Sequence, residues 1–231
     1  MDMEKVIEAK GIKKYYKRGH ETVKALDGID IEVYPSEILS IVGPSGSGKT
    51  TLMNLLGCLD VPTEGELKIA GVDVNGFSEA QLTDFRRKNI GFIFQQFYII
   101  PTLNVEENVL LPRVFIKRAH KGKEVSQLLE RLGLKGKEKV MANMLNGGDM
   151  QRVAIARALV NLPKILIADE PTGRLETKVR DSILELFREL AKSGIAIIIA
   201  THDLELAEQT ERIIYLQDGK IVTREESSLY K

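Results

Sequence analysis

The sequence predicts an α/β fold with a mainly parallel sheet, and three observations support this prediction. Residues 43–50 fit the pattern G-x-x-x-x-G-K-[ST] and lie between an apolar run, Ile38 to Val42, and a helical pattern that starts at Thr50. Two further apolar runs, at 165–168 and 195–200, are each preceded by a helical pattern. Strands that alternate with helices indicate right-handed crossovers and a parallel sheet whose ligand lies at the carboxyl ends of the strands.

An antiparallel β-subdomain is expected within residues 5–40. Apolar and polar residues alternate from Val6 to Tyr16, from Val23 to Leu26 and from Ile29 to Val33, with a turn at Arg18-Gly19-His20 after the first run. The elements expected next are a turn at 62–65, a strand at 66–69, a helix at 79–88 and a strand at 90–94.

A helical subdomain is expected to be inserted at residues 96–145, because no strand pattern is visible there. Asn104 followed by Glu107 is typical of a helix start, and the spacing of Val125, Leu128, Leu129 and Leu132 predicts a helix that ends at Gly133. The later predicted elements are helices starting at 147, 177 and 204, strands at 165–168 and 195–200, and a hairpin of 213–216 with 220–222. The chain, 1–231, is therefore predicted to be one domain.

Composition limits the classes of protein. With 43% hydrophobic residues the chain of 231 residues can bury a large core, and its 33 basic and 33 acidic residues cancel. The balance gives no indication of nucleic acid as a partner. Cys58 is the single cysteine, and no apolar run of eighteen residues or signal-peptide pattern occurs. We therefore expect a cytoplasmic protein that reaches a membrane only through a partner.

The glycine-rich turn predicts a phosphate-binding loop and hence a P-loop NTPase core. Glycines let successive backbone N–H groups turn inward, and the helix N-terminus adds a partial positive charge. Lys49 is expected to reach the β- and γ-phosphates, and the Thr50 hydroxyl to bind Mg²⁺. The residues expected to bind the nucleotide here are Gly43, Ser45, Gly46, Ser47, Gly48, Lys49, Thr50 and Thr51. A glycine turn with a solvated lysine is disfavoured because all four fixed positions agree.

Polar residues follow three of the predicted strands. Asp169 and Glu170 end one apolar run; we expect Asp169 to lie in the Mg²⁺ shell and Glu170 to orient or deprotonate the attacking water. His202 is placed to contact the γ-phosphate or that water. Gln95 is a candidate ligand of the metal or the water, with an ordinary polar strand end as the alternative.

Tyr16 lies at a predicted strand end upstream of the loop and is a candidate for stacking on adenine. An ordinary strand tyrosine explains it equally well on spacing alone. Tyr15 is expected to point to the opposite face if the strand is regular.

These motifs resemble one family over essentially the whole chain. The chain resembles the nucleotide-binding subunit of an ATP-binding-cassette (ABC) transporter in the order of its motifs. These are the phosphate loop, Gln95, the stretch 145–149 (Leu-Asn-Gly-Gly-Asp), Asp169 with Glu170, and His202. The stretches 57–60, 62–65, 92–97 and 171–173 look closest to the branch that serves lipoprotein-release and macrolide-export systems.

The resemblance implies roles for these residues. ATP and Mg²⁺ are the expected ligands, the residue matching Tyr16 stacks on adenine, and the glutamine matching Gln95 links the nucleotide site to a membrane subunit. Glu170 matches the catalytic glutamate and His202 the switch histidine. Asn146, Gly147 and Gly148 match the signature that covers the γ-phosphate bound by a second ATPase subunit. The expected partners are a transmembrane permease and that second subunit.

Two departures from the family pattern concern the surfaces offered to a partner. The signature carries Asn146 for the usual serine and Asp149 for the usual glutamine, and the loop after Glu170 ends Arg174-Leu175-Glu176 where the family has aspartate. In a closed dimer the Asp149 carboxylate is expected to face the partner's ATP phosphates and to repel them, which would weaken closure without preventing it. A homodimer would meet that repulsion twice and a heterodimer once, so a different cassette subunit is the favoured partner.

Other functions fit the sequence less well. A DNA-repair or translation ATPase of the same family usually has long coiled coils or tandem cassettes, and neither pattern occurs here. A GTPase would need a guanine-reading Asn-Lys-x-Asp, which is absent. A regulatory ATP-binding module with weak hydrolysis stays open because of the signature departures.

An apolar stretch just after Gln95 predicts the permease contact. Residues 97–100, Phe-Tyr-Ile-Ile, are too apolar for a freely solvated loop, and Phe115 with Ile116 extends the pattern. We expect a short helix of the membrane subunit to pack there. The alternative is that these side chains fill the core of the helical subdomain.

Overall fold

The computed structural model describes residues 4–19, 21–114, 122–173 and 175–230. The strands in these ranges are β1 (Ile7–Arg18), β2 (Glu21–Val33), β3 (Ile38–Val42), β4 (Glu64–Ile69), β5 (Val72–Asp73), β6 (Ile90–Ile93), β7 (Ile165–Asp169), β8 (Ala196–Thr201), β9 (Arg212–Gln217) and β10 (Lys220–Val222). The α-helices are α1 (Lys49–Leu56), α2 (Glu79–Asn89), α3 (Val105–Leu110), α4 (Gly122–Arg131), α5 (Gly147–Leu159), α6 (Thr177–Lys192) and α7 (Leu204–Ala207). Among these helices, none has the length and apolar character needed to cross a bilayer.

The large sheet confirms the predicted α/β core. Its strand order is β10-β9-β3-β8-β7-β6, and every neighbouring pair is parallel except β10 with β9. The strands β3 and β8 are buried along their whole length, which explains why their sequences are continuous apolar runs. Because the carboxyl ends of parallel strands meet at one edge, the loop after β3 and the polar residues after β7 and β8 lie together.

Side chains on the two faces of this sheet enter two different cores. Along β8, Ile198 and Ala200 pack with the smaller sheet and α1, whereas Ile197 and Ile199 pack with residues of α3, α4, α5 and α6. The period of two in a strand makes this division possible. The edge that carries the polar residues is therefore held from both sides.

The smaller sheet is antiparallel, with the order β2-β1-β4-β5. The prediction of separate strands at 23–26 and 29–33 was wrong, because β2 continues through both. Gly28, with φ 86°, is left unpaired between Ile29, which pairs with Ile12, and Asp27, which pairs with Lys13. The glycine accommodates a bulge, and its polar neighbourhood resembled a strand break.

Further differences affect the edges of this sheet. The predicted turn at 62–65 is shorter, since β4 begins at Glu64, and β5 had no sequence signal because it is two residues long. Arg18 belongs to β1 rather than to the predicted turn, and His20 of that turn lies outside the described residues. The sheet thus takes strands from both sides of the phosphate loop, beyond the expected range 5–40.

The part expected to be helical contains no strand within its described residues, 96–114 and 122–145, only an isolated bridge between Asn104 and Met141. The predicted helix start is confirmed: Asn104 Oδ1 accepts from the Glu107 backbone N–H and Glu107 Oε2 from that of Asn104, both at 2.9 Å. The helices expected to begin at residues 79, 147, 177 and 204 begin there. The bounds 96–145 of a separate subdomain stay a prediction.

Candidate nucleotide-binding and catalytic site

The loop between β3 and α1 requires glycine at two positions. Gly48 has φ 105°, and a Cβ there would lie 2.6 Å from the carbonyl oxygen of Ala25. A Cβ on Gly43 would lie 2.1 Å from the carbonyl oxygen of Leu216. Strands β2 and β9 therefore pack directly on the backbone of the loop. A loop held this closely presents its N–H groups in a fixed arrangement.

A cavity of about 560 Å³ opens along the whole loop, from Gly43 to Thr51. Gln95, Asp169, Glu170 and His202 also line it, so the structure brings together the predicted residues from four separate stretches. Lining residues that carried no sequence motif are Val23, Lys24, Ala25 and Leu229. Tyr16 and residues 146–148 are described by the structure and lie outside this lining.

Two polar groups of the loop are poised for an anion. Lys49 Nζ donates to the carbonyl oxygens of Gly43 at 2.6 Å and Pro44 at 3.0 Å. Burial lowers the pKa of Lys49, while the charges of Glu170 and Asp169 act to raise it. The Ser47 hydroxyl is buried and has no hydrogen-bond partner among the described residues. An unpaired buried hydroxyl beside a lysine fits a site built to receive phosphate oxygens.

Asp169 and Glu170 are the two carboxylates that line this cavity. Burial raises the pKa of Asp169, the charge of Glu170 adds to this, and Lys49 lowers it. No group of three or more His, Cys, Asp or Glu side chains that could hold a metal was found among the described residues. Mg²⁺ is commonly held by one or two carboxylates together with substrate phosphates. The side chains at this edge fit that arrangement, because Thr50 and Asp169 would supply only a few protein ligands and the substrate phosphates would supply others.

Glu170 and His202 form a connected polar pair. Glu170 Oε1 accepts from the His202 backbone N–H at 3.0 Å and lies 2.7 Å from His202 Nδ1, and Glu170 Oε2 accepts from the Thr201 hydroxyl at 3.1 Å. The Glu170 side chain is 14% exposed and that of His202 is 69% exposed. Glu170 has φ 46°, which lies in the left-handed region that only a few per cent of non-glycine residues adopt. The contact with Thr201 was missed, although a hydroxyl at a strand end directly before a histidine is a usable signal.

Tyr16 and Tyr15 face opposite sides of β1, as predicted. The Tyr16 hydroxyl donates to Asp60 at 3.0 Å, whereas the Tyr15 hydroxyl donates to Asp27 at 2.8 Å. Lys14 Nζ lies 5.2 Å from the centre of the Tyr16 ring. Tyr16 is 39% exposed, so part of its ring is open to solvent. Its role toward a base stays a prediction.

The signature residues lie at the start of α5. Asn146 is the N-cap, and its Oδ1 accepts from the Asp149 backbone N–H at 2.8 Å. The Asp149 carboxylate, however, is not uncompensated: Lys137 Nζ lies 2.6 Å from its Oδ2. This partner was not anticipated from the sequence. Arg174, in the second departure from the family pattern, lies outside the described residues.

The comparisons with known proteins decide the family. A family model described as "ABC transporter" matches residues 26–173. The chain belongs to the ABC transporter family. It is 46% identical over 228 residues to the ABC transporter ATP-binding protein MJ0796 of Methanocaldococcus jannaschii, with 96% of this chain and 97% of that protein covered. It is 42% identical to the macrolide export ATP-binding/permease protein MacB of Rhodopirellula baltica, covering 94% of this chain and 32% of that protein. The chain therefore spans about a third of that relative's length.

The solved structures agree with this assignment. A dimeric post-hydrolysis state of the ATP-binding cassette MJ0796 bound to ADP and Pi matches with a TM-score of 0.85 and 42% identity, over 94% of this chain and 97% of that one. The predicted fold, the adenine nucleotide and the ATPase activity are thereby confirmed: the chain is the ATP-binding and ATP-hydrolysing cassette of a transporter. The GTPase alternative and the non-transport alternatives are set aside.

Proposed function

We propose that hydrolysis in this cassette is carried out at the edge where Glu170 meets the phosphate loop. The observation that carries the proposal is that Glu170, which lines the cavity along the phosphate loop, is held by His202 of the same cavity and by the buried Thr201. A carboxylate held there is placed to take a proton from water attacking the γ-phosphate. The exposed His202 ring faces the same space and is free to donate to phosphate oxygen. The loop amides and Lys49 hold the triphosphate.

Mg²⁺ is the proposed companion of ATP. The Thr50 hydroxyl, the Asp169 carboxylate and the Gln95 amide oxygen are the protein groups that would hold it or its waters. When bound, the ion offsets charge that develops on the phosphates. A Cβ on Gly173 would lie 3.7 Å from Gln95 Nε2, so Gln95 lies beside the turn that follows Glu170. In this proposal Gln95 is near enough to the turn after Glu170 to respond to changes at the reacting centre.

The site of one subunit is proposed to be completed by the signature of another. Residues Asn146, Gly147 and Gly148 lie outside the chain's own cavity, and Asn146 and the start of α5 offer backbone N–H groups of the kind that bind anions. The similar MJ0796 cassette is described as dimeric. A two-fold dimer would place each signature over the other subunit's nucleotide.

Subunit mixing tests this composite site. Lys49→Ala removes the phosphate-binding lysine and leaves the signature intact, whereas Gly147→Asp blocks the signature and leaves the loop intact. A Cβ at Gly147 would be 3.7 Å from the nearest atom, on Leu175, so the helix start tolerates a side chain. Each variant alone should hydrolyse no ATP, but their mixture should regain about a quarter of the parent turnover, because half the dimers hold one intact site. A mixture as inactive as its components would contradict the composite site.

The prediction of a heterodimer depended on an uncompensated Asp149, and the ion pair with Lys137 removes much of that electrostatic reason. A permease-bound dimer of either kind would hold this chain at the cytoplasmic face of the membrane. We propose that the permease selects the transported substrate.

A groove of about 510 Å³ is the proposed permease contact. It runs between α2 and the described residues after Gln95, and Phe92, Phe94, Tyr98 and Arg157 are among the side chains that line it. Phe94 contacts the rings of both Phe92, at 5.5 Å, and Tyr98, at 5.4 Å. Tyr98 is 62% exposed. An aromatic groove open to solvent suits an inserted helix.

Other parts of the predicted apolar patch behave differently. Ile99 packs against the core of the helical residues, as the alternative for this stretch supposed, while Ile100 is 40% exposed. Phe115 and Ile116 lie outside the described residues. Arg157 donates to the carbonyl oxygens of Phe97 and Tyr98 at 2.6 and 2.5 Å. This half-buried guanidinium holds the backbone of Phe97 and Tyr98, beside the aromatic side chains of the groove.

The groove is tested by Tyr98→Asp, with Leu162→Asp as the matched control. Leu162 is 80% exposed and lines a different cavity. Tyr98→Asp should abolish co-purification with the permease and keep basal ATP hydrolysis, whereas the control should keep both. Loss of basal hydrolysis in Tyr98→Asp together with a lowered Tm would mean that the aromatic cluster is core. Unchanged association would contradict the groove directly.

A further inference from the structure

The loop that precedes the signature carries three lysines with different partners. Lys135 pairs with Glu130 of α4, and Lys139 pairs with Glu106 of α3 at 2.5 Å. Lys137, between them, is the member of this set that reaches α5, where its Nζ lies 2.6 Å from Asp149 Oδ2. The three pairs thus have the same chemistry but only one touches the signature helix.

Lys137 is held more firmly than its neighbours. Its side chain is 37% exposed, against 76% for Lys135 and 80% for Lys139, and the partner Asp149 is 16% exposed. The Lys137 backbone N–H donates to the Leu134 carbonyl at 3.1 Å, and its own carbonyl accepts from Val140 N–H at 2.9 Å. A turn therefore presents the ammonium to Asp149. A partly buried pair of this kind is screened less by salt than the two exposed pairs.

The position of Asp149 gives the pair its meaning. Asp149 is in the first turn of α5, and its backbone N–H is bound by the Asn146 cap at 2.8 Å. A carboxylate there stabilises the free helix through the helix dipole, yet it opposes a phosphate approaching the same N-terminus. The adjacent Lys137 ammonium reduces the repulsion between Asp149 and the phosphate, because the ion pair carries no net charge.

We propose that Lys137 is a positioning residue for the composite nucleotide site. Its ammonium draws the Asp149 carboxylate toward the 133–140 loop and cancels its charge, so that the Asn146–Gly148 backbone meets the partner's phosphates unopposed. The inference rests on the proposed completion of one subunit's site by the signature of another. It concerns this chain's own compensation for the aspartate that stands where the family usually has glutamine.

The test measures ATP-dependent dimerisation by sedimentation, in a Glu170→Gln parent that does not turn nucleotide over. Lys137→Met should weaken the dimer at low salt about tenfold for each of its two sites, hence about a hundredfold or about 2.8 kcal/mol in all, by exposing the Asp149 charge. Lys139→Met, the matched control, should leave it unchanged. Lys137→Arg should behave as the parent. Adding Asp149→Asn to Lys137→Met should restore dimerisation, since the opposing charge is gone.

Salt dependence separates a charge effect from a packing effect. The difference between Lys137→Met and its parent should shrink at high salt, where the repulsion is screened. ATP affinity of the monomer and Tm serve as folding controls. The inference would be overturned if the double variant Lys137→Met with Asp149→Asn dimerised as weakly as Lys137→Met. It would also be overturned if Lys137→Met dimerised as strongly as Lys139→Met. Either result would leave the composite site itself standing. A parent that fails to dimerise with ATP would overturn the composite site, and this inference with it.

Discussion

Glu170→Gln should separate ATP hydrolysis from ATP binding. The carboxylate accepts hydrogen bonds from the His202 backbone N–H, from His202 Nδ1 and from the Thr201 hydroxyl. In Glu170→Gln the amide oxygen can still accept the two hydrogen bonds from His202. The amide NH₂ can donate to the Thr201 hydroxyl oxygen, which has two lone pairs. Exchanging charge-assisted bonds for neutral ones lowers the free energy of unfolding by about 1–2 kcal/mol. The fold and the loop should therefore persist.

The effect on binding and turnover follows from charge and proton transfer. The substitution removes the repulsion between the Glu170 carboxylate and the triphosphate. This repulsion is about 2 kcal/mol per unit charge, for an illustrative separation of ~8 Å and an effective dielectric of ~20. Nucleotide affinity should therefore stay equal or rise. An amide cannot take a proton from water, so turnover should fall roughly a hundredfold or more, equivalent to at least about 2.7 kcal/mol in the barrier.

The assay compares phosphate release with the Kd of ATP on the same samples. Glu205→Gln is the matched control, because Glu205 also follows β8 but is 80% exposed and pairs with Arg180 instead. The control should retain parent turnover. Equal turnover in Glu170→Gln and its parent would remove Glu170 from the proton-transfer role. A loss of ATP affinity as large as the loss of turnover would show instead that the pair with His202 shapes the binding site.

Three further predictions concern the loop's surroundings. Tyr16→Ala should weaken nucleotide binding by about 1–3 kcal/mol while Tyr16→Phe and Tyr15→Ala have small effects; the reverse order in a binding titration would contradict stacking by Tyr16. Gly48→Ala should lower the unfolding free energy by about 2 kcal/mol or more in urea melts, because φ 105° disfavours a side chain and its Cβ would meet Ala25. Burial raises the pKa of Cys58 from 9.0 to about 11, so native protein should resist thiol reagents. The thiol of the unfolded chain ionises at lower pH than the buried thiol. The thiol's contribution to the free energy of unfolding should therefore be complete below pH 9.0 and be lost as the pH rises toward about 11; a free energy of unfolding that does not change over this range would count against the buried thiol.

Local pattern was enough to predict how the site assembles. The buried run of β3 leads into the phosphate loop and those of β7 and β8 end in polar residues, and the geometry of a parallel sheet then brings those ends to one edge. No distance was needed for that step. The links within the edge required the structure, since Thr201 binding to Glu170 depends on the turn that gives Glu170 its φ of 46°.

The non-local parts were not predictable from spacing. Gly28 looked like a break between strands because a bulge and a turn use the same residue types. Leu229 reaches the nucleotide cavity from the far end of the chain, where it packs beside Val42 and Tyr215. Nothing in its local sequence distinguishes it from any other apolar residue near a turn. Such contacts are set by topology rather than by pattern.

Asp149 shows how a charge seen in sequence can mislead about assembly. Alone, at an illustrative ~8 Å from a partner's phosphate and an effective dielectric of ~20, it would repel each unit charge by about 2 kcal/mol. Lys137 Nζ lies 2.6 Å from its oxygen. With the ammonium behind the carboxylate, about 10–11 Å from the phosphate, the net repulsion falls to about 0.5 kcal/mol. Sequence spacing could not select Lys137 over Lys135 or Lys139, because all three alternate along one loop. Once the pair is counted as a unit, the charge of Asp149 no longer gives an electrostatic reason to prefer a heterodimer over a homodimer.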